Sequence, residues 1–419
     1  MFFKNIHIRI KIVLLVTFFL FFIIVGKVFY IQVIDYKKLN KYATNLWSRN
    51  LPLAANRGII YDRNGIELAS NITTTSLVVI PNQIKDKETV AKSLSDILNV
   101  SYEEMYKHVS KKTSIERVHP EGRNLSYEIA DKINSLNYEG VYLLKEAKRF
   151  YPYDKLLSHS IGFVGIDNQG LSGLELIYND YLTGMNGSIK YFSDAKGNNL
   201  SMAQIYEQPQ SGVNINLTIN YELQVALERE LDNAVLQYNP DQALGIAMDP
   251  NTGEILALAS RPAFSPSNYQ EYTTEEINRN LPIWMTYEPG STFKIITLAS
   301  SLEEKLIDLE KDHYSDSGAV TVGGATLHCW KHGGHGSQTY LEVVENSCNP
   351  GFVNLGLKLG KEKLFKYIDL FGFGKKTGVD LNGESSGIMF NIDKIGDLEL
   401  ATTAFGQGVS VTPIQQRVL

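Results

Sequence analysis

The chain has 419 residues, of which 43% are hydrophobic and 21% are charged, and its formal net charge is -6. This length predicts two or three domains, and the composition excludes disorder, collagen and coiled coil as descriptions of the whole chain. The mildly acidic balance argues against nucleic-acid binding, because phosphate recognition needs clustered Lys and Arg. With only two cysteines, Cys329 and Cys348, the chain is not a disulfide-rich scaffold.

An apolar segment near the N-terminus predicts a membrane anchor. Residues 1–11 form a short basic tail, and residues 12–34 follow as an apolar stretch whose one charged residue is Lys27. A helix of about 20 residues crosses the bilayer core, so this stretch is long enough to span it once. No small-x-small cleavage site follows, which favours an uncleaved anchor over a signal peptide. We expect the tail to be cytoplasmic and the rest of the chain to be extracytoplasmic.

Two further domains are predicted after the anchor, over residues 35–210 and 211–419. In the first, Asn64-Gly65 predicts a hairpin, and residues 84–150 have helical spacing with many lysines and glutamates. The polar, glycine-containing stretch at 190–211 predicts the boundary.

The second domain begins with an amphipathic helix, predicted over residues 221–236. Two apolar strands follow at 243–249 and 254–260 around a Pro-Asn-Thr-Gly turn, which predicts a hairpin inside a buried sheet.

Ser291 and Lys294 form a Ser-x-x-Lys motif at the start of an apolar stretch that is predicted to be helical. Residues three positions apart share one helix face, so the serine hydroxyl and the lysine amine can pair as nucleophile and base. The lysine must be neutral to accept the serine proton, which requires burial or a nearby cation. Taken alone, the motif is more often a helix cap followed by a solvated lysine.

A Ser-x-Asn triplet, Ser347 to Asn349, lies between two helical stretches further along the chain. A loop there could present Ser347 as a proton shuttle to a leaving amine and Asn349 as a partner for a substrate amide. The two motifs together are far more specific than either alone. The predicted catalytic set is Ser291, Lys294, Ser347 and Asn349.

Short motifs run in order along the whole chain. They are Arg57-Gly58, Asp62-Arg63-Asn64-Gly65, Arg149-Phe150-Tyr151-Pro152, Gly173-Leu174-Glu175, residues 249–257, Ser291–Lys294, Ser347–Asn349, Phe405-Gly406-Gln407-Gly408 and Thr412-Pro413-Ile414-Gln415. This series resembles the class B penicillin-binding proteins, the D,D-transpeptidases that cross-link peptidoglycan. The sequences around the two cysteines are most similar to the sporulation-specific members of that family.

The resemblance implies an α+β fold with a transmembrane helix, an elongated pedestal or dimerisation domain, and a penicillin-binding domain similar to serine β-lactamases. It implies that Ser291 attacks the penultimate D-alanine carbonyl of a donor stem peptide and that an amine of a second stem peptide resolves the acyl-enzyme. β-Lactams would acylate the same serine, and neither a metal nor an organic cofactor is implied. The expected partners are membrane proteins of wall synthesis such as a glycosyltransferase. The expected role is spore cortex synthesis, with the outer forespore membrane as one expected location.

The third motif of the family, a Lys-Thr/Ser-Gly triplet on an edge strand, has no counterpart at its usual place. The triplet Lys376-Thr377-Gly378 precedes the Phe-Gly-Gln-Gly segment and lies in a glycine-rich connection, so we interpret it as structural. We therefore expect this chain to lack the C-terminal strands of the domain. Those strands should supply a cation near Lys294 and one oxyanion N–H, so full activity of these residues alone is in doubt.

The two cysteines lie close to the predicted site, and an extracytoplasmic location exposes them to oxidising conditions. A Cys329–Cys348 bridge that switches activity is one hypothesis, and two unrelated reduced thiols are the other. His328, His332 and His335 with Cys329 have irregular spacing, so a zinc site is not favoured.

Two other functions stay open on the sequence. A non-catalytic membrane scaffold for wall-assembly partners would never acylate, and a D,D-carboxypeptidase or β-lactamase-like hydrolase would use water in place of the acceptor amine.

Overall fold

The computed structural model describes residues 2–39, 48–113, 115–193 and 199–417. The helices, in chain order, are α1 (Phe2–Phe29), α2 (Lys87–Leu98), α3 (Tyr102–Ser110), α4 (Tyr127–Ser135), α5 (Ser158–Ile161), α6 (Gly173–Ile177), α7 (Asn179–Leu182), α8 (Tyr221–Tyr238), α9 (Thr274–Asn278), α10 (Leu281–Trp284), α11 (Lys294–Glu303), α12 (Tyr340–Glu345), α13 (Asn349–Leu370), α14 (Asp397–Thr403) and α15 (Pro413–Arg417). The strands are β1 (Ser48–Leu53), β2 (Ile60–Tyr61), β3 (Glu67–Val79), β4 (Glu116–Arg117), β5 (Val141–Phe150), β6 (Gly187–Ser193), β7 (Asn199–Glu207), β8 (Ile215–Asn216), β9 (Ala243–Met248), β10 (Ile255–Arg261), β11 (His313–Asp316), β12 (Ala319–Val322), β13 (Ala325–His328) and β14 (Gly336–Thr339). This mixed content confirms the predicted α+β class.

The N-terminal helix has the length and composition of a membrane span. After α1 the chain continues as a π-helical turn over Tyr30–Ile34. The segment Ile10–Ile34 has a mean hydropathy of 2.8, and none of it is buried against the rest of the protein. The predicted apolar anchor over residues 12–34 is therefore confirmed as a helix that could span a membrane.

Contacts divide the chain into two compact units. The first unit comprises Met1–Asn56, Thr73–Lys148 and Gly184–Ser211, and the second comprises Arg57–Ile72, Arg149–Thr183 and Gly212–Leu419. Two segments that precede residue 210 thus group with the C-terminal part of the chain. The division of the sequence at residue 210 stays a prediction.

The first unit packs capped helices on a sheet. The side chains of Asp86, Ser101 and Ser126 accept hydrogen bonds from backbone N–H groups in the first turns of α2, α3 and α4, which fixes where each helix starts. Buried side chains such as Leu94 and Met105 form the core of the unit. Strands β1, β6 and β7 form a separate antiparallel sheet.

The second unit begins with the predicted hairpin. Strands β2 and β3 pair antiparallel around a turn in which the Asp62 carboxylate accepts hydrogen bonds of 2.8 Å from the backbone N–H groups of Asn64 and Ile66. Gly65 has a φ of +86°, a conformation that glycine adopts without steric cost.

A buried ion cluster holds two separate segments of the second unit together. Glu175 accepts a 2.6 Å hydrogen bond from Arg57 Nε on one carboxylate oxygen and a 2.6 Å bond from Arg149 Nε on the other. The Arg57 side chain is 2% exposed, Arg149 is 1% exposed and Glu175 is fully buried. Paired burial of this kind joins residues 57–72 to residues 149–183. The parallel pairing of β2 with β8 joins the first of these segments to the C-terminal part.

The second predicted hairpin is present, but it is less buried than the sequence indicated. Strands β9 and β10 pair antiparallel, from Ala243 opposite Arg261 to Met248 opposite Ile255. Most of β10 is buried, whereas every residue of β9 is only half-buried. The expectation of a buried sheet is wrong for β9, because α8 packs more extensively on β10 than on β9.

Candidate active site

Ser291 lies in a short 3-10 turn, Gly290–Phe293, directly before α11. The sequence predicted one continuous helix from Ser291, whereas the α-helix begins three residues later, at Lys294. Gly290 has a φ of +56°, and this positive value bends the chain immediately before the serine. Ser291 is exposed and Phe293 is fully buried. The Phe293 side chain therefore packs the turn onto the core and leaves Ser291 on the solvent side.

The Phe-Gly-Gln-Gly segment fixes the position of that turn. The backbone N–H of Gly290 donates a 2.9 Å hydrogen bond to the carbonyl oxygen of Gly406, and the N–H of Gly408 donates a 2.8 Å bond to Glu288 Oε1. A Cβ atom on Gly406 would lie 2.1 Å from the Gly290 carbonyl oxygen. The close approach of the two backbones therefore requires glycine at position 406.

Lys294 is buried and its amine contacts the Ser-x-Asn motif directly. Its Nζ donates hydrogen bonds of 2.8 Å to the Ser347 carbonyl oxygen, 3.0 Å to Ser347 Oγ and 2.7 Å to Asn349 Oδ1. The residue is 4% exposed, and the ring of Phe352 lies 5.2 Å from Nζ. Three of the four predicted catalytic residues are thus in contact, and Ser291 lies three positions before Lys294.

Burial lowers the pKa of the Lys294 amine from its usual value of 10.5 to about 8, and the nearby Cys348 and Cys329 act in the opposite direction. The sequence allowed either burial or a neighbouring cation as the cause, and burial is the cause that lowers the pKa here. A pKa of about 8 leaves a useful fraction of the amine neutral near neutral pH. Lys294 can therefore accept a proton as well as donate hydrogen bonds.

The Ser-x-Asn motif lies in a tight connection between α12 and α13. Ser347 has a φ of +47°, which is uncommon for a residue with a side chain. The indole N–H of Trp330 donates a 2.8 Å hydrogen bond to the carbonyl oxygen of Asn346, and the N–H of Cys348 donates a 3.0 Å bond to Val343. These bonds hold the connection in a shape that points both the carbonyl and the hydroxyl of Ser347 at Lys294. The sequence contained no signal for the part played by Trp330.

The Lys-Thr-Gly triplet forms hydrogen bonds within its own segment of the chain. Lys376-Thr377-Gly378 belongs to an irregular connection after α13. The N–H of Thr377 donates a 2.6 Å hydrogen bond to Glu384 Oε1, and Gly378 N–H donates a 3.3 Å bond to the other oxygen of that carboxylate. The triplet thus stabilises a local turn.

The two cysteines lie next to the Ser-x-Asn motif in a small buried cluster. Cys348 Sγ donates a 3.3 Å hydrogen bond to Asp316 Oδ2, and Cys329 Sγ lies 3.4 Å from His335 Nδ1. Burial raises the pKa of the Cys348 thiol to about 12. Burial also favours the neutral acid of Asp316, but hydrogen bonds from Gly318, His335 and Cys329 outweigh it and hold the pKa of this carboxyl well below its usual value.

Both thiols are free, and their sulfur atoms lie within 4.8 Å of each other. The Cys329–Cys348 bridge stays a prediction. Of the three histidines considered with Cys329, only His335 contacts it, and His328 and His332 are exposed. Sequence reasoning missed Asp316, because a single aspartate at the end of a strand carries no motif.

Comparison with known proteins shows the family of the chain. Residues 243–417 match the model of the penicillin-binding protein transpeptidase domain, and residues 52–217 match that of the penicillin-binding protein dimerisation domain. The chain is 30% identical to the peptidoglycan D,D-transpeptidase FtsI of Buchnera aphidicola subsp. Schizaphis graminum, over 95% of this chain and 70% of that protein. The chain belongs to the class B penicillin-binding proteins.

One relative within the family is far more similar. The stage V sporulation protein D of Bacillus subtilis (strain 168) is 53% identical over 97% of this chain. The match covers 63% of that relative, so the chain spans less than two thirds of its length.

Solved structures of penicillin-binding proteins have a similar fold. Penicillin-binding protein 2X of Streptococcus thermophilus is 25% identical and superimposes with a TM-score of 0.66, covering 88% of this chain and 58% of that one. A peptidoglycan synthetase of Bifidobacterium adolescentis gives a TM-score of 0.67 at 25% identity, covering 88% and 71%.

Proposed function

We propose that this chain carries the acylation site of a peptidoglycan D,D-transpeptidase. The observation that carries the proposal is the set of three hydrogen bonds from Lys294 Nζ to Ser347 and Asn349. They join the Ser-x-x-Lys and Ser-x-Asn motifs, which are more than 50 residues apart in sequence, around one buried amine. The family of the chain supports the same activity.

Ser291 is the nucleophile in this proposal and Lys294 is its base. Neutral Lys294 takes the hydroxyl proton while Ser291 Oγ attacks the penultimate D-alanine carbonyl of a donor stem peptide. Ser347 passes a proton to the leaving nitrogen, and the C-N bond breaks to release D-alanine. An amine of a second stem peptide then attacks the ester, forms the cross-link and restores the Ser291 hydroxyl. Asn349 holds the amine of Lys294 and binds the amide of the substrate.

A β-lactam mimics the donor and acylates the same serine. Its ring opens as the Ser291 ester forms, so no fragment leaves the site and the product persists. Penicillin is therefore the probe that separates this function from a non-catalytic scaffold.

The sporulation role and the location are finer parts of the proposal. The 53% identity to a protein named for stage V of sporulation supports a role in spore cortex synthesis. The helix that could span a membrane supports a single-pass protein. The proposal places this helix in the outer forespore membrane and the second unit outside the cytoplasm. Membrane proteins of wall synthesis, a glycosyltransferase among them, are the partners proposed.

The test is intact-mass analysis after incubation with penicillin. It uses the full chain in detergent and an extended chain, which continues with the segment of the Bacillus subtilis relative that follows the aligned region. We expect a penicillin adduct on the extended chain that is absent in Ser291→Ala and retained in Ser267→Ala, which removes an exposed serine of the same unit. The proposal fails if the extended chain forms no adduct, or if the adduct persists in Ser291→Ala.

A further inference from the structure

Four potential metal ligands converge beside the Ser-x-Asn motif. Asp316 ends β11, Cys329 follows β13, His335 precedes β14 and Cys348 precedes α13. One ligand atom from each side chain lies within 4.8 Å of all the others. We propose that these four side chains bind one zinc ion, in a site distinct from the acylation residues.

The separations between the ligand atoms suit a tetrahedral ion. Asp316 Oδ2 lies 2.9 Å from His335 Nδ1 and 3.3 Å from Cys348 Sγ, and Cys329 Sγ lies 3.4 Å from His335 Nδ1. Zinc bonds of about 2.0–2.3 Å at tetrahedral angles place ligand atoms roughly 3.3–3.8 Å apart. All the separations are at most 4.8 Å, so side-chain movements of about an ångström or less admit the ion.

The ligand types select zinc over the hard divalent cations. Two thiolates and an imidazole favour a soft or borderline metal with tetrahedral geometry, whereas magnesium and calcium require oxygen ligands. Four protein ligands leave no open position, which is typical of a structural zinc site. Each thiol releases its proton to solvent as its sulfur binds, so binding of one ion frees two protons.

The cluster is buried, and the imidazole of His335 is the basic group that faces the Asp316 carboxylate. Asp316 is 1% exposed, Cys348 is fully buried and the side chain of His335 is 5% exposed. Among the residues that the structure describes, no lysine or arginine forms an ion pair with Asp316. A buried carboxylate is costly unless it is paired or binds a metal, so the site favours a cation.

Backbone groups orient the carboxylate ahead of binding. The N–H of Gly318 donates a 2.8 Å hydrogen bond to Asp316 Oδ1, and the N–H of His335 donates a 3.0 Å bond to Oδ2. Outer contacts of this kind hold metal ligands in position and strengthen binding. The pocket is therefore organised before the ion arrives.

A zinc ion here would fix the loop that contacts Lys294. Cys348 lies between Ser347 and Asn349, so a bond from Cys348 Sγ to zinc ties the loop to β11 and to the segments around Cys329 and His335. Asp316 and His335 then act as positioning residues for acylation. This consequence rests on the proposed function, whereas the metal site itself does not.

The test is the metal content of the full chain, purified in detergent under nitrogen without chelators or added metal. We expect about one zinc ion per chain by mass spectrometry. His335→Ala and Asp316→Asn should lose the zinc, and His332→Ala, which removes an exposed histidine three residues away, should keep it. Circular dichroism of each variant establishes that it is folded, and Asp316→Asn conserves the shape of the side chain.

Cobalt substitution gives a second measurement. Cobalt(II) added to the chelator-treated chain should produce a thiolate charge-transfer band and intense tetrahedral d–d bands, which Cys329→Ser should abolish and His332→Ala should retain. The proposal is overturned if the chain contains no zinc and gives no cobalt spectrum, if a Cys329–Cys348 disulfide forms instead, or if every variant binds zinc equally. Zinc without a penicillin adduct would overturn the proposed function alone, and an adduct without zinc would overturn the metal site alone.

Discussion

Lys294 Nζ lies 2.7 Å from Asn349 Oδ1, a residue 55 positions later in the chain, and donates a hydrogen bond to it. This contact places the amine between the two motifs and away from solvent. Removal of the Lys294 amine should therefore affect the chemistry of the site more than the stability of the fold.

Replacement of Lys294 by alanine should abolish rapid acylation. The base that accepts the Ser291 proton would be missing, and general base catalysis contributes about 10²–10⁴-fold. We expect at least about a 100-fold lower rate of penicillin adduct formation in the extended chain. Lys311→Ala, which removes a lysine whose side chain is 83% exposed, is the matched control and should react at the normal rate. Equal rates for both variants would show that Lys294 is not the base.

The acylation rate should rise with pH through about 8. Burial lowers the pKa of Lys294 to about 8, so the neutral, reactive amine increases as pH rises and predominates above that value. The rate should climb about tenfold per pH unit below the pKa and level off above it. The test is the rate of penicillin adduct formation, measured in quenched reactions between pH 6 and 10. An unperturbed lysine would titrate near about 10.4 instead. A rate that stays flat across this range would contradict the role of Lys294.

Replacement of Asn349 by aspartate should move that pH profile upward. A carboxylate at this position would face the ammonium form of Lys294, and an opposite charge this close raises a lysine pKa by about 1–3 units. Acylation near neutral pH should fall, while the rate at high pH recovers. Asn391→Asp adds the same charge at an exposed position and should leave the profile in place. Uniform loss of activity at every pH would indicate a damaged site in place of a shifted pKa.

Replacement of Gly406 by alanine should disturb the turn that carries Ser291. The new Cβ would clash with the Gly290 carbonyl oxygen at 2.1 Å, and the φ of +80° is unfavourable for alanine. Gly372→Ala is the matched control, because Gly372 has a φ of +81° and open space around it. We expect about 1 kcal/mol of destabilisation in the control and about 1–3 kcal/mol more in Gly406→Ala, with slower acylation. Thermal unfolding of the two variants measures the difference.

Replacement of Glu175 by glutamine should destabilise the second unit strongly. The change would leave the buried guanidinium groups of Arg57 and Arg149 without a counter-charge, which costs about 3–5 kcal/mol. Glu254→Gln breaks the pair with Arg63, whose side chains are 38% and 39% exposed, and should cost less than about 1 kcal/mol. Comparable thermal midpoints for the two variants would contradict a structural role for the buried cluster.

Local patterns along the sequence were sufficient for several elements. The apolar run at residues 12–34, the Asn64-Gly65 turn and the hairpin near residue 250 each depend on neighbours within a few positions, and the structure contains all three. The exposure of β9 was not predictable, since it depends on how the helix α8 packs on the hairpin.

The sequence by itself determined the family and the candidate residues, because Ser-x-x-Lys and Ser-x-Asn are short motifs with a defined order. Only the tertiary structure decided that Lys294 is buried against Ser347 and Asn349, and that this burial lowers its pKa. It also brought Asp316 and His335 to the two cysteines. Burial and contacts between distant residues arise from packing of the whole unit, and no local spacing in the chain encodes them.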